Sequence, residues 1–222
     1  MNNILIPTSF EIDTLLALKV AAGLNDPRIK EVTLLRATPV SDSIMELLFP
    51  TAPEDKIKLK REQVFKMWAK HVEQNQLSFT HVKEHHQLAL SKPILMQLLD
   101  RFSVELVIVP WSYQQSKDYT DRFMLRLLHE CKTPLMLLPE EHETQVGIQR
   151  ALFLDENVQA PLATIEHLPF HVIYQSMVRT SNMNSLKAMV DNLRINMLVL
   201  ARGTEKKLLP LVANIGLPVL TV

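Results

Sequence analysis

The sequence predicts an α/β fold: an open, parallel, five-stranded sheet flanked by helices, followed by a reduced second α/β unit. Short continuous apolar runs alternate with helical patterns along the chain, which is typical of parallel strands covered on both faces. Two segments of the middle also recur near the end of the chain: Leu106–Val109 and Thr133–Leu138 correspond to Met197–Leu200 and Leu217–Val222. Repetition of this kind indicates two related α/β units in one polypeptide.

The first unit carries the patterns of five strands and four helices. The expected strands are Ile4–Pro7, Val32–Ala37, Leu77–Glu84, Leu106–Val109 and Pro134–Leu138. The first helix is expected to begin at a capping box of Thr8 and Glu11, with Ile12 on its buried face, and to end near Gly23. The other expected helices run from Pro53 to about Gln76, from Ser91 through Leu99, and from about Thr120 to Glu130. Residues 39–51 are expected to form a loop.

The second unit repeats this plan in a shorter form. Arg150–Asp155 resembles Ile4–Ser9, but the distance along the chain to the next matching strand is less than half as long. Strands are expected near Ala151–Leu154, His171–Gln175, Met197–Leu200 and Pro218–Val222, and helices near Asn184–Leu193 and Glu205–Asn214. The polar segment Glu140–Gln149 is the expected linker. The predicted domains are therefore residues 1–143 and 147–222.

Composition excludes several classes of partner. The chain has 24 basic and 24 acidic residues and no formal net charge, so long-range attraction to nucleic acid or to an anionic membrane is not supported. The single cysteine, Cys131, excludes an intrachain disulfide and fits a reducing compartment. No apolar run reaches the length of a membrane span, and no signal peptide is predicted, so a cytoplasmic location is expected.

The first unit resembles a universal stress protein domain, in the wider group of adenine-nucleotide-binding α/β folds with adenine nucleotide alpha hydrolase-like or flavodoxin-like layering. The resemblance covers roughly residues 1–139 and is carried by the segments Ile4–Thr8, Val32–Leu35, Leu106–Val109 and Lys132–Leu138. The second unit resembles a truncated and degenerate copy of the same domain. The resemblance implies the strand order 3-2-1-4-5 and a ligand cleft between strands one and four.

General rules for open α/β sheets place a ligand in the same position. Such sheets bind ligands beyond the carboxyl ends of the strands, where the strand order reverses. The candidate ligand-binding residues at this mouth are Thr8, Ser9, Ala37, Pro110, Trp111 and Ser112. In the second unit, Asp155 stands where the resemblance places an aspartate that contacts adenine, although a role in a helix cap or turn is the favoured interpretation.

The segment after strand four departs from the nucleotide-binding pattern. Nucleotide-binding members of the family carry an aspartate at the end of strand one, where this chain has Ser9. They also carry glycines after strand four, which let backbone N–H groups close on phosphate oxygens. The corresponding segment, residues 110–122, contains no glycine. No cofactor is therefore predicted, and ATP binding in the family manner is disfavoured.

Four side chains of this segment support the same expectation. Trp111 and Tyr113 could stack on a planar ligand, but the favoured interpretation is that they fill the space a nucleotide needs. Asp118 and Asp121 would oppose the charge of a phosphate.

Residues with catalytic or metal-binding chemistry give weak signals. His81, His85 and His86 suggest a metal site, but residues four apart on a strand are about 13 Å apart and neighbours face opposite sides of the sheet. Cys131 has no visible base or activating field, so a structural thiol is favoured. Neither a catalytic residue nor a metal ligand is therefore predicted. Whether the chain is an enzyme stays open, and a non-catalytic role is favoured.

The predicted function is a universal stress protein-like, non-catalytic binding or interaction protein in stress response, with the ATP-binding loop lost. The alternative is a protein that binds a nucleotide or a small phosphorylated ligand through an altered loop, as a sensor or weak hydrolase. The expected partner is a protein of unknown identity, not nucleic acid or membrane. Pro134–Leu138 and Pro218–Val222 are expected to face each other, which would make the chain an intramolecular pseudo-dimer and leave any homodimer to another surface.

Overall fold

Nine strands and six helices are present in the computed structural model, which describes residues 2–24, 29–39, 53–75, 81–140, 150–155, 172–177, 183–202, 208–209, 212 and 215–222. The strands are β1 (Asn2–Pro7), β2 (Ile29–Thr38), β3 (Val82–Leu88), β4 (Val104–Val109), β5 (Leu135–Leu137), β6 (Ala151–Asp155), β7 (Val172–Met177), β8 (Met197–Leu200) and β9 (Val219–Thr221). The helices are α1 (Asp13–Gly23), α2 (Pro53–Asn75), α3 (Lys92–Arg101), α4 (Trp111–Gln114), α5 (Tyr119–Glu130) and α6 (Met183–Leu193).

The strands form one sheet in the order β3-β2-β1-β4-β5-β9-β8-β6-β7. Its first five strands have the predicted 3-2-1-4-5 order, and every neighbouring pair is parallel except β5 and β9. The α/β class with a mostly parallel sheet is therefore confirmed. The sheet has nine strands and not the five that the sequence predicts. The additional strands join the first five at β5, which hydrogen-bonds to β9 and is therefore not an edge strand.

The junction between the two halves of the sheet is short and antiparallel. Leu135 lies opposite Thr221, Met136 opposite Leu220, and Leu137 opposite Val219. The Thr221 hydroxyl adds a hydrogen bond of 3.3 Å to the carbonyl of Leu135. These strands lie within Pro134–Leu138 and Pro218–Val222, the two segments that are expected to face each other. The proposed domain boundary falls in residues 141–149, which lie outside the described residues.

Both faces of the sheet are covered by apolar side chains. On β1, Ile4 and Ile6 pack in a cluster with α1 and α2, whereas Leu5 packs in a second cluster with α3 and α5. This alternation follows from the two-residue period of a strand. It explains why inner strands such as β4 and β8 contain continuous apolar runs. A third cluster packs α6 against β6 and β8.

Two sequence predictions in the first unit were wrong in detail. The capping box of Thr8 and Glu11 is not formed, because α1 begins at Asp13 after Ile12, and Ile12 is 64% exposed. The Thr8 hydroxyl instead accepts a hydrogen bond from the backbone N–H of Phe10 in the turn after β1. The third strand runs over Val82–Leu88, whereas Leu77–Glu84 was expected; the two ranges share 82–84, and 77–80 lie outside the described residues. Its edge position leaves it with polar residues that give little hydrophobic signal.

Other expected segments fall wholly or largely outside the described residues. These are the loop at 39–51, the linker at 140–149 and most of the helix at 205–214. Among the described residues, no helix combines the length and the apolar character needed to cross a membrane.

Candidate functional site

The switch point of the sheet lies between β1 and β4, because the chain continues from β1 toward β2 on one side and from β4 toward β5 on the other. The carboxyl ends of both parallel strands meet there. Of the predicted site residues, Thr8 follows β1, Ala37 lies at the end of β2, and Pro110 follows β4; all three are buried. Ser9 and Trp111 are half-buried at the same edge.

The turn after β1 is held by Thr8. Its backbone N–H donates to the carbonyl of Leu35 at 2.9 Å, and its hydroxyl accepts the backbone N–H of Phe10 at 2.8 Å. The same hydroxyl lies 2.9 Å from the hydroxyl of Thr14 in α1. Phe10 has a φ of 59°, a left-handed conformation that disfavours a side chain. Its ring is almost fully buried and packs near Phe65, so core packing holds this turn.

The carboxylate of Asp121 is the centre of a buried polar network. Its Oδ2 atom accepts a hydrogen bond from the Ser9 hydroxyl at 2.9 Å and another from the Ser116 hydroxyl at 2.6 Å. Asp121 is only 7% exposed. The network therefore joins the segment after β1 to the segment after β4 through side chains of this chain alone.

A second carboxylate caps the helix at this edge. Asp118 precedes α5 and accepts the backbone N–H groups of Thr120 at 2.7 Å and Asp121 at 3.2 Å. These are two of the amides that a helix N-terminus would otherwise offer to an anion. Asp118 and Asp121 stand at the N-cap and N3 positions of α5, so both add negative charge where the helix dipole favours it.

The segment after β4 folds into the short helix α4 (Trp111–Gln114), which was not among the expected helices. Gln114 anchors it by donating through Nε2 to the carbonyls of Val109 at 3.1 Å and Leu138 at 2.8 Å. Ser112 is held by Asp13, which accepts both its backbone N–H and its hydroxyl. Trp111 is half-buried within the same helix.

Tyr113 is the most deeply buried polar side chain of α4, with 2% of its surface exposed. Burial raises the pKa of Tyr113 far above its ordinary value, and the nearby negative charge of Asp121 raises it further. Its hydroxyl makes no hydrogen bond of ordinary geometry with the described residues. The tyrosine is therefore a neutral, space-filling group beside the Asp121 network.

The last predicted site residue lies elsewhere. Asp155 ends β6, whose neighbours in the sheet are β7 and β8. Four strands, β4, β5, β9 and β8, stand between β1 and β6. The structure therefore brings Ser9, Trp111 and Ser112 to one edge and does not bring Asp155 to them.

His85, His86 and Cys131, which were considered as metal ligands or as a nucleophile, make packing and hydrogen-bond contacts in the structure. His85 packs edge-on against Phe102 with ring centres 5.2 Å apart, and His86 lies 2.8 Å from the hydroxyl of Thr38. A group of three or more side chains suited to a metal ion does not occur among the described residues. Burial raises the pKa of the Cys131 thiol, which donates to the Leu127 carbonyl at 3.1 Å.

Sequence reasoning missed the roles of Asp13 and Ser116 and saw Asp121 only as a source of repulsion. A usable signal for Asp121 was present: Asp118 and Asp121 have the three-residue spacing of a helix start before an apolar helix face. No local signal marks Asp13 and Ser112 as partners, because they are 99 positions apart.

These features define an α/β protein whose sheet has the switch-point architecture of nucleotide-binding folds. No known family profile matches the chain, and no curated protein matches it in sequence. Solved structures do match. A universal stress protein from Archaeoglobus fulgidus DSM 4304 is 10% identical, with a TM-score of 0.52 over 99% of this chain and 95% of that one.

Two further structures match only the larger part of the chain. A universal stress family protein from Burkholderia pseudomallei is 12% identical over 62% of this chain and 96% of its own, with a TM-score of 0.39. A universal stress protein in complex with cAMP is 15% identical over 62% of this chain and 95% of its own, again with a TM-score of 0.39. The chain has the universal stress protein fold, as its sequence predicts.

Proposed function

We propose that this protein is a non-catalytic interaction protein with the universal stress protein fold, and that it does not bind ATP at the switch point. The observation that carries the proposal is the Asp121 carboxylate, which accepts the hydroxyls of Ser9 and Ser116. The role in stress response rests on the likeness of fold.

Electrostatics supports the first part of this proposal. A phosphate binds at a helix N-terminus when free N–H groups and a positive field are available. Here Asp118 occupies two N–H groups of α5, and Asp121 adds a second carboxylate within one turn. At a separation of about 4 Å, two like charges repel by roughly 4 kcal/mol at an effective dielectric constant of 20. A phosphate within that distance of either carboxylate would meet repulsion of this order.

The hydroxyl chemistry of the site supports a non-catalytic role. Ser9 and Ser116 donate to Asp121, and Ser112 donates to Asp13, so each serine is bonded to a carboxylate and not to a histidine. Activation of a serine commonly needs a base that takes its proton and is itself oriented by a third group. The hydroxyls act here as ties between segments.

The alternative is a site for a nucleotide or a small phosphorylated ligand. One observation favours it: the Ser9 and Ser116 hydroxyls converge on a single acceptor atom, as they would on a phosphate oxygen. Lys117 is exposed beside Ser116. For this function, an incoming phosphate would have to replace the Asp121 carboxylate as the acceptor.

Calorimetric titration with Mg-ATP tests both candidates. We expect a Kd no tighter than about 1 mM, which is about −4 kcal/mol. The variant Asp121→Asn removes the charge and keeps the shape, so any residual ATP affinity should rise in it. Asp100→Asn, at an exposed position of α3, is the matched control and should leave the titration unchanged. A micromolar Kd in the unaltered protein would contradict the proposal and support the alternative.

We also propose that the chain is a pseudo-dimer of two related units joined at β5 and β9. The order β9-β8-β6-β7 supports this, because it equals the order 5-4-1-2 of the first unit when the strands are matched by position. Among the described residues, the second unit then has no counterpart of β3, in agreement with its shorter sequence. A proteolysis experiment that cuts within residues 141–149 tests the arrangement: the two fragments should stay associated through β5 and β9.

A further inference from the structure

The outer side of α2 carries an unusual mixture of basic and apolar side chains. This outer α2 face consists of six exposed residues that recur at steps of three and four: Lys56, Leu59, Gln63, Lys66, Met67 and Lys70. Leu59 is 68% exposed and Met67 36%. Residues at such steps share one side of a helix, so these six form a continuous strip.

The orientation of α2 is fixed by its other side. Val64 and Trp68 are buried in the core cluster that covers β1, and Ile57 and Val72 pack against the same cluster. Glu11 on the α1 side pairs with Lys60, and Glu84 on β3 pairs with Arg61. The outer α2 face therefore points away from the sheet and cannot turn inward without breaking the core.

The charge of this helix is locally one-sided, although the whole chain is neutral. From 56 to 70, α2 has six basic residues and one acidic residue, Glu62; its other acidic residues, Glu54, Asp55 and Glu73, lie near its two ends. Lys60 and Arg61 have the ion pairs named above. Lys56, Lys66 and Lys70 make no ion pair with the described part of the chain, so they leave a positive strip that surrounds Leu59 and Met67.

We propose that the outer α2 face docks an acidic amphipathic helix of a protein partner. This rests on the proposed function as an interaction protein and names the chemistry of its partner. Carboxylates of the partner pair with the lysines, and its apolar side chains cover Leu59 and Met67, which supply the apolar contact that a docked helix needs.

The composition of the strip favours a protein over the other anionic partners. A nucleic acid would neutralise the lysines but leave Leu59 and Met67 uncovered, and the strip offers no arginine or aromatic ring for stacking. A membrane-surface helix buries a broad apolar face in lipid. In α2 the broad apolar face is already packed on the protein, and among its described side chains only two large apolar ones, Leu59 and Met67, are exposed.

The test uses the full-length protein and a labelled synthetic peptide. The peptide is an amphipathic helix with leucines spaced three and four apart and glutamates on either side of them; a second peptide replaces every glutamate with lysine. Fluorescence anisotropy measures the binding of each to the unaltered protein, to Lys66→Glu/Lys70→Glu, and to the matched control Lys132→Glu/Lys187→Glu. The control changes two exposed lysines outside α2 and makes the same change in net charge.

We expect the acidic peptide to bind the unaltered protein and the control alike, and to lose about tenfold or more in affinity for Lys66→Glu/Lys70→Glu. The basic peptide should show the opposite preference and bind this variant best. Binding should weaken as salt is raised from 50 to about 300 mM. A third variant, Leu59→Ser, should weaken the acidic peptide without changing the salt dependence.

Three outcomes would overturn the proposal. Equal losses in both lysine variants would mean that only net charge matters. If the acidic peptide did not bind the unaltered protein, the outer α2 face would not be a docking site for such a helix. Tighter binding of phosphatidylserine vesicles or single-stranded RNA, with the same dependence on Lys66 and Lys70, would assign the face to a membrane or a nucleic acid. The Mg-ATP titration of the same samples reports separately on the proposed function, because the switch point and the outer α2 face share no residue.

Discussion

The carboxylate of Asp13 holds Ser112 twice: one oxygen accepts the Ser112 backbone N–H and the other accepts the Ser112 hydroxyl, each at 2.6 Å. Asp13 is the first residue of α1, and Ser112 is the second residue of α4. The contact therefore joins the segment after β1 to the segment after β4 across the switch point. Together with the Asp121 network, it links these two segments through side chains of the protein itself.

Removal of the Asp13 carboxylate should destabilise the protein. In Asp13→Ala, the N–H and hydroxyl of Ser112 both lose a charged acceptor at a half-buried position, so the free energy of unfolding should fall by about 2–3 kcal/mol. Equilibrium unfolding in urea measures the change. Asp100→Ala on the exposed side of α3 is the control, with an expected change within about 0.5 kcal/mol. Similar losses in both variants would show that the contact with Ser112 contributes little.

The contact between Ser9 and Asp121 should appear as a coupling energy. We expect the single variants Ser9→Ala and Asp121→Asn and the double variant to show a coupling of about 1 kcal/mol in the free energy of unfolding, because Ser9→Ala removes the shared hydrogen bond and Asp121→Asn weakens it from a charged to a neutral acceptor. Ser112→Ala combined with Asp121→Asn is the control pair, since the two side chains do not bond to each other. Strict additivity for Ser9 and Asp121 would contradict the observed network.

Cys131 should be slow to react and should make stability depend on pH. Burial raises the pKa of its thiol above the ordinary value of 9.0, and the side chain is 2% exposed. The native protein should therefore react with a disulfide reagent about a hundredfold more slowly than the urea-unfolded chain, which corresponds to an opening free energy of about 3 kcal/mol.

The sign of the pH effect follows from the same shift. The unfolded chain loses the thiol proton at a lower pH than the folded protein does, so stability is full below the unfolded pKa and falls as the pH rises through 9.0 toward the folded pKa. In Cys131→Ala, this part of the decline should disappear when urea unfolding is compared between pH 7 and pH 10. An unchanged decline would assign it to other groups, such as the buried Tyr113.

The inner strands of the sheet were predictable because burial on both faces favours a continuous apolar run. Leu106–Val109 and Met197–Leu200 are examples, and β4 and β8 contain them. The edge strand β3 was misplaced, because an exposed edge tolerates Lys83, Glu84 and His86, which carry no strand signal. The start of α1 was also misplaced, because Thr8 and Glu11 fit a local capping pattern that the buried ring of Phe10 overrides.

The candidate site was predictable in position but not in its contacts. The reversal of strand order placed Ser9 and Trp111 at one edge, since that rule depends only on topology. The partners of these residues come from distant parts of the chain: Ser9 bonds to a carboxylate 112 positions away. A single sequence does not show which distant residues will be neighbours, because that depends on the fold. The position of Asp155 depends likewise on the pairing of β5 with β9, which places four strands between it and β1.

Truncation of the last strand tests the join between the two halves of the sheet. Deletion of Leu217–Val222 removes β9, which lies between β5 and β8. Two apolar strands would then become edges, with unpaired backbone groups and side chains that are fully buried in the intact protein, such as Met136 and Leu198. Such edges pair readily with other chains, so we expect aggregates or intermolecular dimers. Light scattering after gel filtration measures the mass.

Point variants keep this prediction testable if the truncated chain does not fold. Leu220→Glu places a charge at a fully buried position between Met136 and Val199 and should also promote association. Thr221→Val is the matched control, because it keeps the shape and the strand propensity and removes only the hydroxyl contact with Leu135. The control should remain at the mass of the unaltered protein. If instead the truncated protein were soluble, of unchanged mass and as stable as the full chain, β9 would not protect the edges of β5 and β8, and the pseudo-dimer arrangement would have to be abandoned.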